Sequence, residues 1–320
     1  MKPFKTYRQQ LRILRSRGLT VQNGSRAMRI LEKENYYALI NGYKDLFLQK
    51  HENGTPITPE SYKEKASIEE IYSLYCFDRD LRSIVLKELL KFESSIKSKL
   101  SYHFSKTYTE SNAYLNMLSY SRDPKKLKQI LQLISVITNV ISKQSSKNNP
   151  IKHYLDNHDG VPLWVLVKYL TLGNIQNFYE CLDDKIQNDI AKEFSHCFQR
   201  EHRTKIHFTP SMLTNILKTA TLFRNVCAHE ERLYNFKLHK PSKYADIARS
   251  IKLREKTIST GNLFSIIAFL KLVTPKNEYK SLLKNLENLF NKYENKFISV
   301  NICEILKTMG FNTHWKINLS

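Results

Sequence analysis

Three residues of one segment combine the side-chain types that can handle a phosphodiester: Arg224, Asn225 and His229. Histidine can take up or release a proton near neutral pH. Arginine offers a fixed fork of donors to phosphate oxygens, and the asparagine amide can orient either neighbour. Cleavage of RNA without a metal needs a base, an acid and positive charge at the phosphorus. We therefore predict that these residues are catalytic, with no metal and no cofactor.

The spacing of this motif is weak evidence by itself. Arg200–His207 and Arg232–His239 are further Arg–His pairs at a similar spacing. What distinguishes Arg224 is the polar Asn225 beside it and the helix predicted around both residues. The alternative interpretation is a capped helix end with a satisfied polar cluster.

Helical geometry places the motif residues on different faces. Asn225 and His229 are four residues apart and share a face, and Arg232, a predicted RNA-binding residue, follows three positions later. Arg224 and His229 are five residues apart, about 140° around an ideal helix. Both can reach one phosphate through the long arginine side chain, a helix irregularity or a partner subunit. This geometry favours a composite site in a homodimer.

The charge of the chain indicates a polyanionic partner. Its 320 residues include 51 Lys and Arg against 30 Asp and Glu, a net charge of +21. Residues 1–65 and 236–320 carry 16 of these charges on fewer than half of the residues. Such an excess predicts attraction to nucleic acid or to an anionic membrane surface. Together with the Arg–His motif it favours RNA on the basic flanks, with these N-terminal contacts: Lys5, Arg8, Arg12, Arg15 and Arg17. The alternative is a solvated, lysine-rich surface.

Several protein classes are disfavoured by composition. No apolar run approaches the ~18 residues of a membrane span, and the nearest, residues 263–273, contains Lys271. The basic N-terminus lacks the apolar core of a secretory signal. The cysteines are odd in number and far apart, which indicates reduced thiols in a cytoplasmic protein without a membrane partner: Cys76, Cys181, Cys197, Cys227 and Cys303.

The scarcity of glycine and proline predicts an all-α fold with long helices. The predicted regions are a basic N-terminal helical region (1–60), a helical core with the motif (61–235) and a basic C-terminal helical extension (236–320). Residues 50–66 read as a linker, and a helix is expected over residues 35–47. A helix of roughly 40 residues should follow a capping box at Ser67–Glu70. Further helices should begin near Pro124, Pro162, Asp183 or Asp184, Thr209 and Ser242, with Gly173 ending the one at Pro162.

Two charges fall inside the apolar stripe of the long helix. Asp78 and Arg82 are four residues apart and can pair. A charged pair in a core stripe is costly unless it is also hydrogen-bonded. It is either a satisfied internal ion pair or a polar support for a site on a neighbouring helix.

Weaker patterns leave alternatives open. Tyr36, Tyr37 and Tyr43 can stack bases or lie in the core with satisfied hydroxyls. A loose cluster of His196, Cys197, His202 and His207 lacks the tight spacing of a zinc site. The C-terminal helices can bind RNA or complete the core.

The motif and four further blocks resemble known proteins. Arg-x4-His is similar to the signature of the HEPN ribonuclease superfamily. The chain resembles the Abi (abortive infection) family, the group that includes AbiD and AbiF, over roughly residues 3–235. The matching blocks are Lys2–Tyr7 with Leu14 and Arg17–Leu19, Asn35–Tyr43, Ile71–Arg82, Pro162–Leu166 with Leu172–Tyr179, and Arg224–His229 with Arg232–Asn235.

The resemblance implies a HEPN-like helical bundle with additional N- and C-terminal helices. It also implies a metal-independent endoribonuclease toxin of phage defence that dimerises around two motifs and that a small noncoding RNA can restrain. One departure is Glu230, which stands where the family often has a second histidine. The main alternative function is a non-catalytic RNA-binding module that acts by sequestration; a helical DNA-binding regulator is a third.

Overall fold

The computed structural model describes residues 3–239, 241 and 244–319. In this part of the chain the only β-structure is three isolated bridges, and no β-sheet forms. The all-α prediction is therefore confirmed. The α-helices are α1 (Tyr7–Ser16), α2 (Gly24–Lys33), α3 (Ile68–Thr107), α4 (Leu127–Ser145), α5 (Pro150–Asn157), α6 (Leu163–Leu166), α7 (Leu172–Cys181), α8 (Asp184–His202), α9 (Pro210–Ala228), α10 (Ala245–Ser250), α11 (Glu255–Ile258), α12 (Leu263–Val273), α13 (Lys276–Glu294), α14 (Ile302–Thr308) and α15 (Trp315–Leu319).

Shorter helical pieces join these elements. A π-helix covers Tyr37–Asn41, and the 3-10 helices are Lys44–Leu46, Ala113–Leu115, Met117–Ser119, Pro124–Lys126 and Val167–Tyr169. Ser242, predicted to begin a helix, and Lys2, part of the first matching block, lie outside the described residues.

The central element is α3, whose 40 residues confirm the predicted long helix. It begins with the expected capping box, in which Ser67 Oγ accepts from the Glu70 backbone N–H and the Glu70 carboxylate accepts from the Ser67 N–H. Glu70 Oε1 also accepts from the backbone N–H groups of Ile298 and Ser299, at 2.6 and 2.7 Å. The cap therefore also fixes the loop between α13 and α14.

The other long helices surround α3. It packs against α6, α7, α8, α9 and α13, and its apolar stripe, represented by Leu74, Leu81 and Leu89, is fully buried. From Asp78 through Arg82 to Glu93 along α3, the contacted residues run backwards along the chain, from Leu233 through Glu231 to Arg224 in α9. The helices α3 and α9 are therefore antiparallel. This antiparallel pair carries the candidate site.

The C-terminal region completes the core. α12 is buried on nearly all sides, as expected of an apolar interior helix, and it packs against α8, α9, α11 and α13. Buried residues from all three predicted regions join one hydrophobic cluster. The region boundaries at residues 60 and 235 stay predictions. Among the described residues, no helix has both the length and the apolarity of a bilayer span.

One local prediction was wrong. Gly173 does not end a helix: it lies in the first turn of α7, because Thr171 caps that turn in a capping box with Asn174. The helix expected over residues 35–47 is present over residues 36–46, but it is wound largely as a π-helix over Tyr37–Asn41 and a 3-10 helix over Lys44–Leu46. The predicted linker, residues 50–66, folds back on residues 47–49 through backbone hydrogen bonds such as Lys63 N–H to Phe47 O at 2.8 Å.

The C-terminal end of α9 has an unusual residue. Glu230 adopts a left-handed conformation with φ of 57°, and the Glu231 N–H reaches back to the Val226 carbonyl at 3.0 Å. This is the Schellman ending, in which the left-handed position usually holds glycine. A side chain there is strained, because its Cβ crowds the backbone.

We expect Glu230→Gly to raise the free energy of unfolding by about 1 kcal/mol, because glycine removes this strain. The melting temperature should rise by about 1 to 3 °C. Glu231→Gly, at a neighbouring exposed position outside the left-handed region, is the matched control and should bring no gain. An unchanged or lower melting temperature for Glu230→Gly would contradict the assignment.

Candidate active site

The motif occupies the last turns of α9. Thr209 caps the helix by accepting from the Met212 N–H, and Pro210 occupies its first turn, as predicted. At the other end, His229 is the C-terminal cap residue, and its backbone N–H donates to the Asn225 carbonyl at 2.9 Å. The imidazole is therefore at the point where the helix stops and is exposed to solvent.

An exposed stripe on α9 carries Asn225 and His229. Lys218, Leu222, Asn225 and His229 follow one another at spacings of four, three and four residues, which places them on one helix face. The side chain of Lys218 is 47% exposed, Leu222 is also 47% exposed, and the other two residues are exposed. We call these four residues the α9 stripe. It combines an exposed apolar side chain, Leu222, with the predicted proton-transfer group, His229.

Arg224 lies on a different face, towards α3. Its Nε is 3.4 Å from Oε2 of Glu93, whose carboxylate is also paired with Lys97 Nζ at 2.7 Å. The two facing atoms, Arg224 Nε and Glu93 Oε2, are buried and make no hydrogen bond in the described structure. The arginine is thus held by charge attraction without a fixed hydrogen-bond geometry, and 24% of its side chain remains exposed.

A single chain does not bring the three motif side chains together. Within the described residues, no hydrogen bond joins the side chains of Arg224, Asn225 and His229. Helical geometry predicts this separation, since positions five residues apart lie about 140° from each other. Their catalytic roles stay predictions, and a phosphate bound by both charged groups requires a rearranged arginine or a second chain.

Asp78 and Arg82 anchor the segment that follows the motif. Asp78 is fully buried and accepts four hydrogen bonds: from Tyr43 Oη at 2.8 Å, Arg82 Nη1 at 2.7 Å, and the backbone N–H groups of Leu233 and Tyr234 at 3.1 and 2.7 Å. Arg82 Nη1 also donates to the Glu231 carbonyl at 3.3 Å. The pair is therefore a satisfied ion pair that also supports the chain immediately beyond His229.

The charge states of this cluster follow from its partners. Burial raises the pKa of Asp78, whereas the hydrogen bonds and the Arg82 charge oppose that rise. Because every partner of the carboxylate is a donor, the ionised form fits the site. Burial, together with the nearby Asp78 carboxylate, raises the pKa of Tyr43 far above its usual range, so its hydroxyl stays a proton donor.

Arg232 lies on the loop beyond α9 and contacts residues 42–45. Its Nη1 donates to the Gly42 carbonyl at 2.7 Å and lies 3.8 Å from the Asp45 carboxylate. The side chain is 41% exposed, so part of the guanidinium remains accessible. Its predicted contact with RNA stays a prediction.

The N-terminal basic residues are placed on α1 and just before it. Lys5, Arg8, Arg12 and Arg15 are exposed and follow a spacing of three or four residues, so they form one solvent-facing row, the α1 row. Arg17 differs, because its Nη1 donates to Glu60 Oε2 at 2.7 Å.

Sequence reasoning missed Glu93 and Lys97. The available signal was their spacing of four on a helix whose neighbouring positions are apolar, which is the same pattern that drew attention to Asp78 and Arg82. That Glu93 faces Arg224 depends on how α3 packs against α9 and has no local signature. No group of His, Cys, Asp or Glu that could hold a metal ion occurs in the described part of the chain.

We expect Asp78→Ala to lower the free energy of unfolding by about 3–5 kcal/mol, because it leaves Arg82 buried without its counter-charge. Urea unfolding measures this loss. Asp156→Ala, which removes the exposed partner of Lys152, is the control and should cost less than about 1 kcal/mol. Similar losses for both variants would contradict the anchoring role.

Comparison with known proteins gives one match. The family model described as "Abi-like protein" matches residues 29–235. This range includes four of the five matching blocks, and it leaves out the N-terminal one. No curated protein and no solved structure matches the chain. Membership of this family supports a role in abortive-infection phage defence. Because the matched range covers more than half of the chain, the chain belongs to the Abi-like protein family.

Proposed function

We propose that this protein is a metal-independent endoribonuclease toxin of the HEPN type, an AbiD- or AbiF-like member of its family. The observation that carries the proposal is the end of α9, where an accessible histidine and asparagine share an exposed stripe beside an arginine on the adjoining face. These are the groups that RNA cleavage without a metal requires.

The roles follow from the chemistry of each side chain. His229 transfers protons at the 2′-hydroxyl or at the 5′ leaving oxygen. Arg224 stabilises the negative charge that develops on the phosphorus oxygens. Asn225, on the same face as His229, orients the imidazole or the phosphate.

A homodimer resolves the separation of Arg224 and His229. Leu222 gives the α9 stripe an apolar contact at its centre, and a second copy can pack on it by two-fold symmetry. The Glu93 contact keeps Arg224 on the face towards α3, and in the dimer its long side chain reaches the histidine of the partner subunit. Each composite site then takes its arginine and its histidine from different chains.

The α1 row supports a second contact with RNA. Three exposed cations on α1 and one just before it are more than a single scissile phosphate needs, and they suit several phosphates along a strand. We assign this row to a standing RNA partner, such as a small noncoding RNA that restrains the toxin. A cytoplasmic location agrees with these partners.

A non-catalytic RNA-binding module is the second candidate function. The observation that favours it is the pairing of Arg224 with Glu93, which already neutralises part of the charge that a nuclease would use. In that case the motif stabilises the end of α9 and the protein acts by sequestering RNA.

We expect Arg224→Ala and His229→Ala each to lower the rate of RNA cleavage by about 10²- to 10⁴-fold, because each removes one chemical role. Cleavage of a labelled RNA in the presence of EDTA measures the rate, and wild type should keep its activity there. Growth arrest in cells should fall in parallel.

The matched controls are Arg200→Ala and His207→Ala, from an exposed Arg–His pair elsewhere in the chain; their rates should equal that of wild type. Normal cleavage by both motif variants would refute the catalytic assignment. RNA binding without cleavage by wild type and all variants would establish the binding module, and loss of wild-type activity in EDTA would refute the metal-independent mechanism.

We expect Leu222→Glu to convert the dimer into a monomer and to abolish cleavage, because it places a charge at the centre of the paired stripes. Light scattering at micromolar concentration measures the mass. Leu118→Glu, at another exposed leucine, should leave the dimer intact. A wild type that is monomeric with and without RNA would contradict the dimer.

Mixing variant chains tests which subunit supplies each group. A heterodimer of Arg224→Ala with His229→Ala regains one intact site if arginine and histidine come from different chains. It then recovers about half of the wild-type rate by this count of sites. If both groups come from one chain, the mixture stays as inactive as its components.

A further inference from the structure

A cleft begins at the residue that follows His229. It has a volume of 680 Å³ and lies between residues 37–43 and residues 230–239. This volume falls in the range of small-ligand sites, about 300–1,000 Å³. The cleft is therefore large enough for one planar ring system with its substituents, and it is continuous with the chain segment that carries the motif.

The lining of the cleft is aromatic. Tyr43 and Tyr75 line the cleft and meet edge to face with ring centroids 5.4 Å apart. Tyr43 also stacks on the buried Tyr234, which is outside the lining, at 5.7 Å. The Tyr43 hydroxyl donates to Asp78 at 2.8 Å, which fixes that ring. The Tyr75 hydroxyl donates to Glu34, also at 2.8 Å, and is fixed in the same way. Tyr37 differs from these residues, because 74% of it is exposed and its hydroxyl makes no hydrogen bond within the described structure.

The rim of the cleft holds both cations and acids. Arg232, Lys237 and His239 are exposed along one side. Glu230 and Glu231 line the same cleft and repel a continuous row of phosphates. This mixture suits a ligand with one aromatic ring and a single nearby phosphate better than it suits a polyanionic backbone.

The backbone around Tyr37 is specialised. Tyr37 begins the π-helix, a rare form that is frequent at functional sites. The Asn35 carboxamide oxygen accepts from the Tyr37 N–H at 2.8 Å and from the Ala38 N–H at 3.3 Å. These bonds fix the start of the π-helix and therefore the position of Tyr37, an exposed ring in the lining of the cleft.

We infer that this cleft receives one unpaired base of single-stranded RNA, which stacks on Tyr37 while its phosphate meets Arg232 and Lys237. Stacking suits any base, because each has a π-face. In a duplex the bases stay within their own stack, so only an unpaired base can enter. This inference rests on the proposed function, from which it takes RNA as the substrate. It adds that the protein selects RNA with an unpaired nucleotide beside the cleaved bond.

The test measures binding of a labelled single-stranded RNA and of the same sequence as a duplex, both to protein carrying His229→Ala so that the RNA stays intact. Tyr37→Ala should weaken single-strand binding by about 5- to 100-fold, as expected for the loss of one stacked base. Tyr37→Phe keeps the ring and should bind within about twofold of its parent. Duplex binding should be the same with and without the substitution.

Tyr102→Ala is the matched control, because Tyr102 is also an exposed tyrosine, at 62%, and it does not line this cleft. It should leave binding unchanged, and the melting temperatures of all variants should agree. The inference is overturned if Tyr37→Ala binds single strands normally, if Tyr37→Phe is as weak as Tyr37→Ala, or if duplex binding falls equally. Absence of cleavage by wild type would refute the nuclease proposal and leave this comparison of binding constants intact.

Discussion

The Asp78 carboxylate is the interaction on which the rest of the site depends. A fully buried acid would be costly alone, but here it collects donors from three parts of the chain: the tyrosine of the π-helical region, the arginine one turn further along α3, and two backbone groups beyond the motif. These bonds join the segments on both sides of the cleft to the central helix. The end of α9 and the cleft beside it therefore have defined positions.

A second constraint comes from the winding of α9. Groups five residues apart on a regular helix point in directions about 140° apart, and the Glu93–Arg224 contact at 3.4 Å keeps them so. The exposed leucine in the α9 stripe supplies the apolar area that a second copy can cover. The proposed dimer would account for both features: the divided charges and the uncovered leucine.

Irregular backbone is concentrated around the same place. The left-handed Glu230 ends α9 on one side of the cleft, and the π-helix that starts at Tyr37 forms the other side. Both conformations are less favourable than a regular helix. Such residues persist where contacts with the surrounding structure hold them in place. The Asp78 cluster bonds to Tyr43, just after the π-helix, and to Leu233 and Tyr234, just after Glu230, so it supports both segments.

Local signals were sufficient for much of the fold. The capping box at Ser67, the proline and threonine before α9, and the absence of glycine and proline along α3 predicted helices that the structure contains. Local signals failed at Gly173, because the capping by Thr171 outweighs the helix-ending tendency of glycine. The helix predicted over residues 35–47 forms, but no local signal predicted its π-helical winding.

The sequence by itself determined the all-α class, the long central helix, the charge excess and the identity of the motif residues, since each follows from composition or from spacing within one helix. Only the tertiary structure showed that Glu93 faces Arg224, that Asp78 supports the loop after His229, and that a cleft opens beside Tyr37. These contacts join residues far apart in the chain, and helix packing, which no local pattern encodes, is what brings them together.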